Sequence, residues 1–451
     1  MVEVPVKIYA TNLLKQARQA ARTMALLPGD VKDKALIAMA DRVTNEKEAL
    51  LTANLIDVDI VGKTLEREAA REAVERVRLT EEFLKEMSER LRRIAELPDP
   101  VGEVTSMHQR PNGMQVSRVR APIGVIGVIS EFGPDVTVES IGLCMKSGNV
   151  CVFRGGSEWI QTNTKLACLL REAAEGAGIP AGAISFIERA ETEAALELLR
   201  QPSYVDAIIP RGGAGLRKIV IEQSRAPILC HDGGISYVYI DADTDLPLAQ
   251  NIVVNSKAQR AAASNSVDTV LVHQSISRAL LPALVRRLLD EFKIEVRGCP
   301  KTVALAGAQS FGAYKEMKAA TDDDWSKQFA APILAIKTMT TIDEAIDHMA
   351  RFGPIHTASI VTRDYATAMR FAREVDAAAV LVNGSTRLHD GEEFGVGGQI
   401  GISTMRTHAR GPIGLAQLTC EKYVVLGTGQ LRQPHPVPVT YEDAIMLKRP
   451  S

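Results

Sequence analysis

Short apolar runs alternate with helix-patterned stretches from residue 122 to 240, and no other feature of the chain limits its fold so tightly. The runs lie at 124–129, 149–154, 183–187, 205–209 and 236–240, with helical spacing near 136–146, 161–177, 192–200 and 214–224 between them. An apolar run without polar alternation reads as a strand covered on both faces. Strands joined through helices are connected by crossovers, so the series predicts a parallel sheet with helices packed on either side. A second βα-rich region runs from about 245 to 387.

The flanks have different patterns. Residues 7–96 are helical in period, with Leu13, Leu14, Ala17, Ala20 and Ala21 on one face and a charge-rich amphipathic stretch at 63–96. Pro98 and Pro100 end that region. Gly113–Arg120 alternates polar and apolar residues and fits either a projecting flap or an edge strand of the main sheet. Residues 431–451, with Pro434, Pro436 and Pro438, read as an extended tail. A chain of 451 residues exceeds one ordinary core, so two or three domains are expected.

Composition narrows the function classes. Lys and Arg total 53 against 55 Asp and Glu, interleaved, which leaves no electrostatic footprint for nucleic acid or an anionic membrane. The cysteines at 144, 151, 168, 230, 299 and 420 have neither CxxC nor zinc-like spacing, so reduced thiols and no metal are expected. There is no signal-peptide pattern and no apolar run of the roughly 18 residues a bilayer requires, which together predict a cytoplasmic protein.

Two turns carry ligand chemistry. After the second apolar run comes Arg154-Gly155-Gly156-Ser157-Glu158, where small residues admit a ligand to the backbone and Arg154 offers a forked donor to phosphate, favouring NADP over NAD. After the fourth comes Pro210-Arg211-Gly212-Gly213-Ala214-Gly215, opening a helix whose amino end suits a pyrophosphate. Taken alone, such a turn also closes an ordinary βα corner.

Six segments occur in an order that identifies a resemblance: Arg118–Ile129, Lys146–Gly156, Ile209–Leu216, Thr407–Leu415, the Leu-Pro-Asp-Pro-Val-Gly element at 97–102, and Val382–Arg387. Over about residues 10–427 the chain resembles the γ-glutamyl phosphate reductase (glutamate-5-semialdehyde dehydrogenase) family. The resemblance implies an aldehyde dehydrogenase-like α/β fold: a Rossmann-type cofactor domain (1–103 and 122–232), an α/β catalytic domain (233–395), and an oligomerisation flap with a returning segment (104–121 and 396–430). It also implies a homodimer or homotetramer that reduces an acyl phosphate to an aldehyde with NADPH in proline synthesis. By the same resemblance Lys146, Arg154, Gly155, Gly156, Ser157, Arg211, Gly212, Gly213, Glu393 and Phe394 bind the cofactor. Asp135, Arg260, Arg387, His408 and Arg410 bind substrate, and Ser264, Asn265 and Lys257 form the catalytic set.

The departures bear on activity. Ser264 stands where the family has its nucleophilic cysteine. A thiol with a pKa of about 8.5 supplies some thiolate at neutral pH, and its thioester accepts hydride readily. A serine needs a base and forms a less reactive ester. No triad-like order of histidine and acid surrounds Ser264, which leaves His356 and His408 as distant candidates. The family's Arg-Pro-Asn-Val-Thr is here Gly133-Pro134-Asp135-Val136-Thr137, its Gly-Ala-Glu-Ile-Gly-Ile-Ser has Gln399 for the glutamate, and its Gly-x-Cys-His-x-Tyr-Val-Asp has become Gly234–Asp241. Gly133 and Asp135 make the pocket less receptive to an anion.

Against this, Lys257, Gln259, Arg260, Asn265, Val267, Arg387, Asp390, Phe394, Gly395, His408 and Arg410 are retained. Singly, each has an ordinary reading: Asn265 as a helix cap, Arg410 in a surface ion pair, His408 as a core histidine. Three functions stay open: a reductase limited by Ser264, a silent homologue binding nucleotide or a partner such as an amino-acid kinase, and altered chemistry on another acyl group.

Overall fold

The computed structural model describes residues 5–64, 67–189, 191–229, 233–307 and 317–432. Most of the expected tail, 433–451, lies outside the described residues. The chain enters as five helices, Val6–Met24, Gly29–Asn45, Lys47–Thr64, Arg67–Val77 and Glu81–Glu96. Leu14, Ala17, Ala20 and Ala21 face the core, as their period requires, and Leu13 packs at its margin.

Strands β1 (Val104–Gln109) and β2 (Gln115–Pro122) form an antiparallel hairpin. The first parallel sheet follows, from β3 (Val125–Ser130), β4 (Val150–Arg154), β5 (Ile184–Phe186) and β6 (Ala207–Arg211), in the order β5-β4-β3-β6. All of β3 is buried, because helices cover both faces. At Gly127 the packing leaves no room for a side chain: a Cβ would lie 2.7 Å from Cδ1 of Ile208 on β6. The chain steps from β3 to β4 on one side and later to β6 on the other, so the carboxyl ends of β3 and β6 border a crevice.

The second sheet contains β7 (Ile235–Ile240), β8 (Thr269–His273), β9 (Glu295–Gly298), β10 (Lys318–Ala319), β11 (Ile333–Met339), β12 (Ile355–Val361) and β13 (Ala377–Val382). They are parallel, in the order β10-β9-β11-β8-β7-β12-β13. The run at 236–240, read from the sequence as continuing the first series, instead begins this sheet between β8 and β12. An apolar run specifies burial on two faces but carries no information about its neighbours. Alternation along β7 sends Val238 and Ile240 into one hydrophobic cluster, and Tyr237 and Tyr239 into another on the opposite face.

The chain then returns to the first core. Ile400, Ala409, Ile413, Leu415 and Leu418 pack in the same cluster as β3 and β4, around the short pair β14 (Ile402–Ser403) and β15 (Gly411–Pro412). Strand β16 (Thr419–Leu426) completes a separate antiparallel sheet, β1-β2-β16. Gly113–Arg120 is therefore not an edge of either main sheet. Strand β2 is also the covered middle strand of its sheet, paired with β16 from Gln115 opposite Leu426 to Pro122 opposite Thr419. The outward strands are β1 and β16, and Tyr423, Val425 and Leu426 are exposed on the latter.

Candidate functional site

The turn carrying Ser264 lies between the helix Leu246–Ala258 and β8, at the amino ends of β7 and β8. Its shape is fixed from below. The Ser264 carbonyl accepts from Ser236 Oγ and from Gln328 Nε2, each at 3.2 Å. Asp268 is buried and accepts the backbone N–H groups of Ser236 at 3.1 Å and Phe329 at 3.0 Å. Ser264 itself is half-buried, and among the described residues nothing hydrogen-bonds its hydroxyl, so no base is in place to activate it.

Lys257, in the last turn of that helix, is wholly buried with Nζ 5.9 Å from the centre of the Phe329 ring. No hydrogen-bond acceptor for this ammonium exists among the described residues. Burial pulls its pKa down to about 8 against the opposing charge of Asp268. The Asp268 carboxyl is pushed up to about 6 by its own burial, against Lys257 and the two backbone donors.

Above the turn, Arg387 donates from Nε to Gln259 Oε1 at 2.7 Å and from Nη1 to Asn265 Oδ1. Asn265 in turn donates to the His389 carbonyl at 3.0 Å, which makes it a brace between two loops rather than a helix cap. Burial, and next the like charge of exposed Arg260, lower the pKa of Arg387, while Asp390 raises it. The two guanidinium groups thus repel each other near the Ser264 turn, with Asp390 as the opposing charge.

The histidine at this site is His389, which sequence reasoning missed because a lone histidine in a loop carries no spacing signal. It is buried, and its Nδ1 shares Thr357 Oγ1 (2.8 Å) with His356, whose Nδ1 lies 2.7 Å from the same oxygen. Its ring stacks on Phe394 with centroids 5.4 Å apart, and burial drives its pKa down to about 4, so it is neutral at pH 7. His408 is exposed in the turn between β14 and β15, not a core histidine. Arg410 is tied to Asp376 at 2.7 Å, the plain ion-pair reading, and neither residue bonds to the Ser264 turn.

In the crevice, the glycines serve packing more than open approach. A Cβ at Gly155 would lie 2.5 Å from Asn163 Nδ2, one at Gly156 3.1 Å from the Glu131 carbonyl, and one at Gly212 2.3 Å from Glu131 Oε2. Glu131, unmarked in the sequence reading, accepts the Gly213 N–H at 2.7 Å and so places a carboxylate at the amino end of helix Ala214–Gln223. Arg154 ends β4 and exposed Ser157 follows it on the same rim. Lys146 does not reach this crevice: it is buried, bonded to Asp33 and to the Ala95 carbonyl at 2.8 Å, because its helix ends against the helical layer.

The Arg211 side chain turns away from the glycine turn. It lies over the Phe132 ring at 5.5 Å and feels Glu139 and Asp135 electrostatically. Arg90 approaches Asp135 at 3.9 Å and Glu139 at 3.4 Å. Glu139 also accepts the Gln399 N–H at 3.3 Å. The Gln399 side chain donates to Asp390 at 2.9 Å and accepts the Gly391 N–H at 3.1 Å, bracing the loop that displays exposed Glu393 and Phe394. A glutamate in that position would face Asp390 with like charge. Among the described residues no three His, Cys, Asp or Glu side chains converge to hold a metal, and no helix is long and apolar enough to cross a membrane.

Comparison with known proteins identifies the family. The aldehyde dehydrogenase family model matches residues 9–304 and 316–423, and the chain belongs to that family. It is 43% identical over 428 residues to the γ-glutamyl phosphate reductase of Thermodesulfovibrio yellowstonii, covering 95% of this chain and 100% of the relative. It is 45% identical over 419 residues to that of Moorella thermoacetica (93% and 97%). The crystal structure of γ-glutamyl phosphate reductase from Thermotoga maritima superposes with a TM-score of 0.88 at 37% identity, covering 94% of this chain and 100% of that one. Within the aldehyde dehydrogenases the chain is a member of the γ-glutamyl phosphate reductase family.

The Lys257–Asp268 pair makes a signed prediction. A lowered lysine pKa contributes stability that is lost as pH falls through about 8, and a raised carboxyl pKa contributes stability that is lost as pH rises through about 6. Between those values both groups are charged and buried. NMR titration of 13C-dimethylated lysines should show one resonance moving near pH 8, and Asp268→Asn should move it lower by removing the charge that favours the ammonium. A Lys257 titration at or above the ordinary lysine range would contradict this.

Proposed function

We propose that the protein reduces γ-glutamyl phosphate to the semialdehyde with NADPH, as in proline synthesis, and that Ser264 limits the rate. The observation that carries this reading is the pair of cations at the Ser264 turn. Burial, and next the like charge of Arg260, hold the pKa of Arg387 down, so an anion near the two guanidinium groups is favoured. A phosphate leaving from the acyl carbon is such an anion, and its developing charge is stabilised there.

The crevice between the carboxyl ends of β3 and β6 suits a dinucleotide, since ligands of open α/β sheets bind where the strand order reverses. Arg154 and Ser157 would hold the 2′-phosphate, and Glu393 and Phe394 the other end. The bound cofactor supplies the hydride. This chain's own residues position the acyl carbon against it: Asn265 and Arg387 brace the turn, while the Ser236 and Gln328 donors fix the Ser264 carbonyl. The Ser264 oxygen has no base in contact, so acyl transfer to it is slow and hydride acceptance by its ester poor.

If sulfur is the missing element, Ser264→Cys should raise phosphate-dependent NADP reduction by glutamate semialdehyde at least tenfold, equivalent to about 1.4 kcal/mol of barrier. Wild type turning over at rates on the order of 1 per second would remove the claim that Ser264 is limiting. Inactivity of both proteins would remove the reductase reading.

We further propose assembly through the outer edge of β16. Its unpaired backbone and exposed Tyr423, Val425 and Leu426 form an edge that soluble proteins usually cover. Light scattering at micromolar concentration should give a dimer or tetramer, and a monomer would contradict the proposal.

A further inference from the structure

Arg211 is a cation that no side chain among the described residues hydrogen-bonds. Its guanidinium occupies space that Gly401 leaves open, where a Cβ would stand 2.3 Å from Nη1, and the ring of Phe132 covers it at 5.5 Å. No acceptor for it exists among the described residues, and its Nε is shut off from solvent. Leaving a buried donor unmet is costly, so an arrangement that builds a cradle around one is accounted for when a ligand completes it. Asp135 and Glu139 act on Arg211 through space, yet their ion-pair partner is Arg90, at 3.9 and 3.4 Å.

Two guanidinium groups and two carboxylates thus line one site. Its net charge is zero but both signs are displayed, the complement of a zwitterion rather than of a second phosphate. The site is also joined to the Ser264 turn. Gln399 links Glu139 to Asp390 (3.3 and 2.9 Å), and the neighbouring carbonyl, that of His389, holds Asn265 at 3.0 Å beside Ser264.

We infer that this cluster binds the α-amino-acid head of the substrate, with the carboxylate on Arg211 and the ammonium on Asp135 and Glu139. The inference rests on the acyl phosphate reading above, which puts the phosphate end at Arg260 and Arg387. Asp135, which by sequence disfavours an anion, then serves the positively charged end of the same molecule. Gly133 leaves the Asp135 carboxylate uncrowded: a Cβ there would lie 3.2 Å from Asp135 Oδ1 and 3.4 Å from the Trp159 ring.

Calorimetry on the full chain with L-glutamate and with glutarate, which lacks the ammonium, tests this. Wild type should bind glutamate at least about tenfold more tightly than glutarate, the worth of one charge-assisted contact. Arg211→Met should weaken both ligands about tenfold or more. Asp135→Asn should weaken glutamate alone, and both variants should bind NADPH as wild type does. Wild type failing to bind glutamate, or Arg211→Met losing NADPH affinity in place of glutamate affinity, would overturn the assignment. The two readings separate in the Ser264→Cys background. If that variant turns over semialdehyde but adding Arg211→Met leaves KM unchanged, the head-group site falls and the reductase stands. If it is inactive while glutamate binding follows the predicted pattern, the site stands without the reductase.

Discussion

The Asp268 carboxylate, buried between the start of β8 and the segment at 328–329, is the contact on which the site depends. By accepting the backbone donors of Ser236 and Phe329 it ties β7 and the 328–329 segment to its own position, and the same two segments supply the Ser236 and Gln328 groups that hold the Ser264 carbonyl. Phe329 is also the ring against which the buried Lys257 ammonium lies. A side chain changed at 264 leaves every one of these contacts in place, because they use backbone and neighbours rather than the 264 hydroxyl. The frame of the turn is therefore independent of the side chain at 264.

Charge is distributed with similar economy. One pair of cations lies beside Ser264, and a neutral mixed cluster lies at Arg211, Arg90, Asp135 and Glu139. The 389–399 loop runs between them, using Asp390 and Gln399 as its joints. On the proposed reading, these distinct surroundings would receive opposite ends of one extended charged molecule and so orient as well as hold it. The neutral His389 under Phe394 adds shape without adding charge.

Much of the fold was legible because burial on two faces writes continuous apolar runs: β3, β4, β5 and β6 fall within a few residues of the runs that announced them. The sheet to which β7 belongs was not legible, since its partners β8 and β12 come from later in the chain. At the site, the motifs located the Ser264 turn and the braces Asn265 and Arg387. They carried no sign that the Lys146 ammonium bonds to Asp33 or that Arg410 pairs with Asp376. Motif position fixes the backbone neighbourhood of a long side chain but not the direction in which its charge is neutralised. Glu131 and His389 escaped notice for the complementary reason: each acts through a partner far away in sequence, Gly213 and Thr357.

Whether Ser264 alone limits the reaction is read from the first turnover of semialdehyde with NADP when phosphate is withheld, followed by absorbance in a stopped-flow instrument. An acyl-enzyme that cannot be discharged then appears as a burst of NADPH. A burst approaching one equivalent per subunit is expected for Ser264→Cys and none for wild type. An equal burst from wild type, or no burst from a variant that binds NADP normally, would contradict it.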